Sequence, residues 1–263
     1  MTEHTLLLRG LNIHYTVEGK GPDVLLVHGW TASRRMWADL SSQLAGQYRC
    51  WALDLPGCGD SDKPGYGWYS IPNFTAILNE FVQTAGIERA RVVGHSMGGM
   101  IALNLAAMHP GALARLVAIN PVVTGRASLR PLAKPDASRR LLDWTLRFSP
   151  IVLRPLLSHA YGDRLDRVRH IRRRAEDFAK GTVDSIISSG RAILAYDVSP
   201  LLDRIAAPTL VIVGTQDAQV PPSEGRLAAE RISGARLSVM RAGHLPTDER
   251  PAEILRQLRR FLS

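Results

Sequence analysis

The chain reads Val92-Val93-Gly94-His95-Ser96-Met97-Gly98-Gly99 at the point that decides its fold. The apolar residues before this Gly-x-Ser-x-Gly sequence are typical of a buried strand, and Met97–Met108 has a helical pattern that Pro110 ends. Between a strand and a helix, the two glycines predict a turn so tight that a β-carbon at either of them would collide with backbone. The turn should lift the Ser96 hydroxyl above the carboxyl edge of a sheet, at a helix start that favours negative charge.

The rest of the chain alternates apolar strand patterns with helical patterns. Continuous apolar strands between helices are typical of a parallel sheet that is covered on both faces. Two short strands with a turn near Arg9-Gly10 open the chain and bring the number of strands to eight. The sequence therefore predicts an α/β fold with a mostly parallel, eight-stranded sheet. The predicted strands are Leu6–Val17 (two strands), Val24–Val27, Cys50–Leu53, Arg91–Val93, Leu116–Ile119, Thr209–Val213 and Leu237–Met240, and the predicted helices are Met36–Leu44, Ile71–Ala85, Met97–Met108, 223–232 and 251–262.

The alternation is interrupted between Val122 and Tyr196. This stretch contains no clear buried strand and has several helical patterns with prolines between them. We interpret residues 122–196 as an inserted helical cap, called the cap segment below. Residues 1–121 and 197–263 would then form the core domain, and a chain of 263 residues has room for both.

A serine hydroxyl is a weak nucleophile that needs a base within hydrogen-bond reach. Among the eight histidines of the chain, His244 is the best candidate, because it follows the last predicted strand and leaves the same edge of the sheet. Asp217, just beyond another buried strand, is the candidate carboxylate that orients the histidine ring. The order Ser96, Asp217, His244 is the one expected for this strand–turn–helix motif. Asp248 is expected instead to cap the final helix or to pair with an arginine.

Attack on a carbonyl group creates an oxyanion, which two backbone N–H groups should receive. One candidate is the amide of Met97, the residue after the nucleophile. The other is the amide of Trp30, in a loop after the first parallel strand that Gly29 allows to approach closely. We expect His28 and His95, which flank these motifs, to serve structure.

Five segments in this order resemble the α/β-hydrolase superfamily, in its serine-nucleophile, esterase-like form with a helical cap. The similarity runs from about Leu6 to Leu262 and is weakest in the cap segment. Related dehalogenases and epoxide hydrolases have aspartate in place of Ser96, so their reactions are disfavoured. Cys58 stands where many relatives have histidine, and we expect it to be a buried thiol without a catalytic role. The segments are Val27–Trp30, Asp54–Asp62, Gly94–Gly99, Gly214–Pro221 and Gly243–His244.

The composition of the chain indicates the cellular compartment in which the protein is expected. Its two cysteines, Cys50 and Cys58, form neither a disulfide framework nor a zinc motif, and free thiols suit a reducing compartment. No signal peptide and no apolar run of roughly 20 residues is visible, so we expect a cytoplasmic protein without a membrane span. The predicted chemistry requires no metal and no cofactor.

The net charge of +9 is concentrated in the cap segment, which has 15 lysines and arginines against seven aspartates and glutamates. One interpretation is a solvated, arginine-rich helix face. The other is a surface that attracts an acidic partner or substrate, such as an acyl carrier protein or a coenzyme A ester. Nucleic acid is disfavoured, because no nucleic-acid-binding motif accompanies the charge.

The resemblance implies a carboxylic-ester hydrolase that acts on a small to medium acyl substrate through an acyl-enzyme. A thioesterase or methyl esterase for carrier-protein or coenzyme A substrates is the nearest alternative. The same residues could serve carbon–carbon bond hydrolysis, perhydrolysis or lyase chemistry. A ligand receptor or a structural partner protein on the same fold also stays open, since function depends on the site rather than the fold.

Overall fold

A computed structural model describes residues 1–127 and 168–263. It contains one eight-stranded sheet in the order β1-β2-β4-β3-β5-β6-β7-β8. Strand β2 is antiparallel to both of its neighbours, and every other neighbouring pair is parallel. The predicted mostly parallel, eight-stranded sheet is confirmed. The strands are β1 (Thr2–Leu8), β2 (Leu11–Glu18), β3 (Asp23–Val27), β4 (Arg49–Leu53), β5 (Ala90–His95), β6 (Leu113–Ile119), β7 (Thr209–Gly214) and β8 (Arg236–Met240).

Helices cover both faces of the sheet, as predicted. One buried apolar cluster includes residues of α2, α3 and α6, and a second, on the other face, includes residues of α1 and α8. The predicted helix over Met36–Leu44 is α-helical only from Ala38, because its first turn is a 3₁₀ helix, Arg34–Trp37. The helices are α1 (Ala38–Leu44), α2 (Ile71–Thr84), α3 (Met97–Met108), α4 (Val168–Ala179), α5 (Val183–Ala195), α6 (Pro222–Arg231), α7 (Pro246–Glu249) and α8 (Pro251–Leu262), with further 3₁₀ helices at Tyr66–Trp68 and Ser199–Arg204.

The turn after β5 has the crowded geometry that its glycines predict. Ser96 has φ 54° and ψ −117°, a backbone conformation that a residue with a β-carbon rarely adopts. A β-carbon on Gly94 would lie 2.7 Å from the carbonyl carbon of Gly98, and one on Gly98 would lie 2.8 Å from that of Val27. The second glycine is therefore required by the neighbouring strand β3 rather than by the opposite side of its own turn.

Helices α4 and α5 lie in the cap segment, in the connection between β6 and β7. The other helical patterns of that segment fall in 128–167, outside the described residues, and so do eight of its 15 basic residues and His159. The division into a core of residues 1–121 and 197–263 and a cap of residues 122–196 stays a prediction. Within the described residues, every helix is too short or too polar to cross a membrane.

We predict that Gly98→Ala lowers the free energy of unfolding by about 1–3 kcal/mol, because backbone atoms of β3 must move to admit the new methyl group. Gly46→Ala is the matched control: its added β-carbon would have no atom within 4 Å, and its φ is outside the left-handed region. That change should be neutral or stabilising by less than about 1 kcal/mol. Urea unfolding measures both, and equal midpoints for the two variants would contradict the packing argument.

Candidate active site

Three side chains from distant parts of the chain lie in hydrogen-bond contact at the carboxyl edge of the sheet. Ser96 Oγ is 3.0 Å from Nε2 of His244, and Nδ1 of His244 is 2.7 Å from Oδ2 of Asp217. Each residue exposes only 6–9% of its surface. The contacts are therefore shielded from bulk water, which strengthens hydrogen bonds between polar groups.

The hydrogen bonds of Asp217 define which nitrogen of His244 carries the proton. Its Oδ1 atom accepts the amides of Gln219 and Val220, both at 2.8 Å, and its Oδ2 atom faces His244. An ionised carboxylate only accepts hydrogen bonds, so Nδ1 of His244 is the donor. The lone pair on Nε2 then faces the hydroxyl of Ser96, which is the arrangement required of a base.

The loop that carries His244 is fixed through its backbone. The carbonyl oxygen of His244 accepts hydrogen bonds from His95 Nε2, at 2.7 Å, and from Asn120 Nδ2, at 3.2 Å. The amides on either side of His244 donate to the carboxylate of Glu249, at 2.7 and 3.3 Å. These backbone contacts hold the residue in place, so the two ring nitrogens of His244 contact only Ser96 and Asp217 among the described residues.

His95 contributes a neutral ring to this arrangement. Burial, followed by the nearby ring of His244, places the pKa of His95 well below its usual range. The two ring centroids are 4.8 Å apart, so a charged His95 would repel a protonated His244. The contact of His95 with a backbone carbonyl agrees with the expected structural role.

Asn120 joins the two loops that supply His244 and Asp217. It follows β6 directly and has a φ of 43°, in the left-handed region that asparagine tolerates better than most residues. Its Oδ1 atom accepts the amide of Gly214, at 2.7 Å, while Nδ2 donates to the carbonyl of Gly243, at 3.0 Å, as well as to that of His244. Sequence reasoning missed this residue, although a polar side chain directly after a buried strand was a usable signal.

The loop after β3 approaches Ser96 closely, as Gly29 predicts. A β-carbon on Gly29 would lie 3.2 Å from the Cβ atom of Ser96 and 2.9 Å from Nδ1 of His95. In the described part of the chain, the amides of Trp30 and Met97 make no hydrogen bond. Both predicted oxyanion donors therefore have the capacity to bind an oxygen atom of a substrate.

Two other residues singled out in the sequence have structural positions. His28 accepts the amide of Leu55 on Nε2, at 2.9 Å, and donates from Nδ1 to the carbonyl of Gly29, at 2.7 Å. Cys58 is buried, and burial raises the pKa of its thiol to about 12. The thiol is therefore protonated at neutral pH and is a poor nucleophile, as expected.

Asp248 pairs with an arginine, which is one of its two expected roles. Arg173 on α4 donates to both carboxylate oxygens, at 3.0 and 3.3 Å, and the exposed fraction of the Asp248 side chain is 4%. Other basic side chains of the cap segment are also paired. Arg172 contacts Glu176, Arg174 contacts Asp248, Lys180 contacts Asp60 and Arg191 donates to the hydroxyl of Tyr66.

The assembled groups can support acyl transfer. A hydroxyl next to a basic imidazole can add to a carbonyl carbon, and the amides of Trp30 and Met97 can donate hydrogen bonds to the resulting oxyanion. Within residues 1–127 and 168–263, no group of three histidine, cysteine, aspartate or glutamate side chains is arranged to hold a metal ion.

We predict that Asn120→Asp lowers the free energy of unfolding by about 1–3 kcal/mol. The acid keeps an acceptor for Gly214 but loses the donor that holds two carbonyl groups. Asn79→Asp on α2 makes the same chemical change where the described residues give the side chain no hydrogen bond, and it should have little effect. Urea denaturation compares the two, and an Asn120→Asp protein as stable as wild type would show that the amide does not join the loops.

Comparison with known proteins gives a consistent assignment. The family model described as the alpha/beta hydrolase fold matches residues 22–251. A pimeloyl-[acyl-carrier protein] methyl ester esterase of Neisseria meningitidis serogroup B is 32% identical over 234 residues, which cover 85% of this chain and 86% of the relative. The corresponding esterase of Aeromonas hydrophila is 28% identical over 253 residues, with 93% and 96% covered.

A solved structure, the enol-lactonase from Burkholderia xenovorans LB400, superposes with a TM-score of 0.86 and 26% identity over 98% of this chain and 99% of that one. The match of the family model covers well over half of the chain, and the sheet order and connections agree with it. The chain therefore belongs to the α/β-hydrolase family, as a hydrolase of the carboxylesterase-like kind.

Proposed function

We propose that the protein hydrolyses a carboxylic ester of a small to medium acyl group through an acyl-enzyme on Ser96. The observation that carries the proposal is the continuous hydrogen-bond chain from Ser96 Oγ through His244 to Asp217. In a buried site, such a chain lets the imidazole accept the hydroxyl proton as the new bond forms.

The first half of the reaction forms the acyl-enzyme. Ser96 Oγ attacks the ester carbonyl carbon while its proton moves to Nε2 of His244. The carbonyl oxygen becomes an oxyanion, which the amides of Trp30 and Met97 bind, and removal of one such donor typically costs roughly 2.7–4 kcal/mol. His244 then returns the proton to the alkoxy oxygen, the carbon–oxygen bond breaks and the alcohol leaves.

The second half of the reaction releases the acid. His244 takes a proton from water, and the resulting hydroxide adds to the acyl carbon of the Ser96 ester. Collapse of this second tetrahedral intermediate returns the proton to Ser96 Oγ. Asp217 remains ionised throughout, because its role is to hold the ring and to stabilise the imidazolium. No step needs a metal or an organic cofactor.

We expect Ser96→Ala to lower kcat by at least about 10⁴-fold. The substrates would be a panel of esters, thioesters and lactones of graded acyl length, because a similar structure is a lactonase. Ser41→Ala, which removes a buried hydroxyl on α1, is the matched control and should keep wild-type turnover. Fluorophosphonate should label wild type and Ser41→Ala but not Ser96→Ala.

The outcome also separates the remaining functions. Turnover of lactones or thioesters above simple esters would change the substrate class but keep the mechanism. Labelling without turnover of any panel member would favour carbon–carbon bond chemistry. If the folded wild type resists the fluorophosphonate, the proposed serine mechanism is wrong and a ligand receptor becomes the better hypothesis.

A methyl ester on an acyl chain bound to a carrier protein is the second candidate substrate. It is supported by the names of the two esterase relatives and by the surplus of positive charge in the cap segment. The four basic side chains described between positions 172 and 180 contact carboxylates, so we expect the charge available to an acidic partner to come mainly from residues 128–167. The cytoplasm, favoured by two free cysteines, is the proposed location for either substrate.

The carrier-protein candidate predicts a salt effect. Raising sodium chloride from about 0.05 to about 0.5 M should lower kcat/KM about tenfold for the carrier-bound methyl ester but leave the free methyl ester of the same acyl chain unchanged. Reversing Arg139 and Arg140 to glutamate should reproduce the loss at low salt. The same reversal of Arg256 and Arg260, which are exposed on α8, is the control. Equal salt responses of the two substrates would count against an acidic partner.

A further inference from the structure

The side chain of Trp30 contacts the cap segment, although Gly29, the residue before it, lies close to Ser96. The indole Nε1–H lies 3.0 Å from Ser189 Oγ and 3.1 Å from the carbonyl oxygen of Ile186, both on α5. Ser189 is buried and donates its own hydrogen to the carbonyl of Ser185, at 2.5 Å. A lone pair of the Ser189 oxygen is therefore directed at the indole.

The peptide between Gly29 and Trp30 is held at its oxygen end. The Gly29 carbonyl accepts hydrogen bonds from Nδ1 of His28, at 2.7 Å, and from the amide of Ala32, at 3.3 Å. A trans peptide is planar, so its N–H points opposite to its C=O. Two donors on the oxygen therefore restrict the direction of the Trp30 amide.

The same peptide is anchored at its other end by the indole. Thr31 has a φ of 55°, and its hydroxyl donates to the Trp30 carbonyl, at 2.8 Å. A turn with a left-handed residue beside Trp30 is held by its surroundings, and loss of one anchor gives the peptide freedom to rotate. The hydrogen bonds to α5 attach Trp30 to a part of the chain more than 150 residues away.

We propose that the Trp30 indole and Ser189 are positioning residues for the oxyanion site: by fixing the indole, α5 aims the Trp30 amide at the carbonyl oxygen of the substrate. The inference rests on the proposed ester hydrolysis and deepens it. Helix α5 then contributes to stabilisation of the transition state through its contacts with the indole.

The experiment compares Trp30→Phe, Ser189→Ala and the double variant with the best ester of the panel. Ser189→Ala removes one of two acceptors and should lower kcat about 3- to 10-fold, while Trp30→Phe removes the donor and should lower it about 10- to 30-fold. KM should stay within about twofold of wild type. The double variant should match Trp30→Phe, because the hydroxyl of Ser189 has no indole N–H left to accept.

Ser188→Ala is the matched control for packing in α5. It removes a neighbouring buried hydroxyl that has no hydrogen-bond partner in the described residues, and it should keep wild-type kcat. Because Trp30→Phe could impair folding, thermal melting is measured for every variant. If that variant does not fold, the comparison of Ser189→Ala with Ser188→Ala decides the question.

Inhibitors separate a positioning role from a structural one. The trifluoromethyl ketone analogue of the ester forms a tetrahedral adduct with an oxyanion, so its Ki should rise in proportion to the loss of kcat/KM. The matching methyl ketone, which binds as a ground-state mimic, should keep its Ki. Equal weakening of both inhibitors would show that the contacts of α5 affect binding in general rather than the oxyanion, and it would overturn the proposal.

Failure of this inference is distinct from failure of the proposed function. An unreactive wild type, or full activity in Ser96→Ala, would remove the ester hydrolysis and the inference with it. Normal serine chemistry in wild type, together with Ser189→Ala and Trp30→Phe proteins that match Ser188→Ala, would overturn only the role of the indole.

Discussion

The site depends on the close approach of backbone segments that carry no β-carbons. At Gly98 the start of α3 meets the carbonyl end of β3, and at Gly29 the next loop meets Ser96. These two contacts bring the Ser96 hydroxyl, the start of α3 and the loop that carries the Trp30 amide close together. The strained backbone of Ser96 is tolerated because β5, which lies in the sheet, and α3, which packs against the sheet, fix the position of Ser96. Because protein interiors are close-packed, a methyl group added at either glycine would shift the reactive groups as well as the backbone around them.

Hydrogen bonds to backbone groups hold the loops of the site in place. The carbonyl of His244 accepts two hydrogen bonds, which fix the residue that carries the imidazole. The carbonyl of Gly29 also accepts two, which fix the peptide that carries the Trp30 N–H. Neutral donors suit this purpose, because burial keeps the His95 and His28 rings uncharged. A cation beside His244 would oppose formation of the imidazolium, and a neutral ring at His95 avoids that repulsion.

The sequence predicted those parts of the molecule that are determined locally. Apolar runs and glycine spacing identify strands, the turn at Ser96 and the loops that end at one sheet edge, because strand direction alone brings Asp217 and His244 to Ser96. Sequence reasoning missed three residues whose contacts are with backbone atoms or with residues distant in the chain: Asn120, Glu249 and Ser189. Contacts of these two kinds leave no periodic pattern in the sequence. Helix α7 was also missed, since four residues that begin with a proline carry too little periodicity to indicate a helix.

The charge of the cap segment is a second property whose effect depends on contacts between residues distant in the chain. Counting residues predicts a surplus of positive charge, but a count gives no information on pairing. Arg173 contacts Asp248, a residue of the short helix that follows His244, and Arg35 of the core contacts Glu176 and Asp177 on α4. The pair of Arg173 and Asp248 is buried and therefore costly to break once one partner is removed, so it fixes α4 in place more than it attracts a ligand. With the Trp30 indole bound to α5, both described helices of the cap segment are attached to loops that supply Ser96 with its proposed partners. Recognition of a substrate by the cap and stabilisation of its transition state would then involve the same contacts.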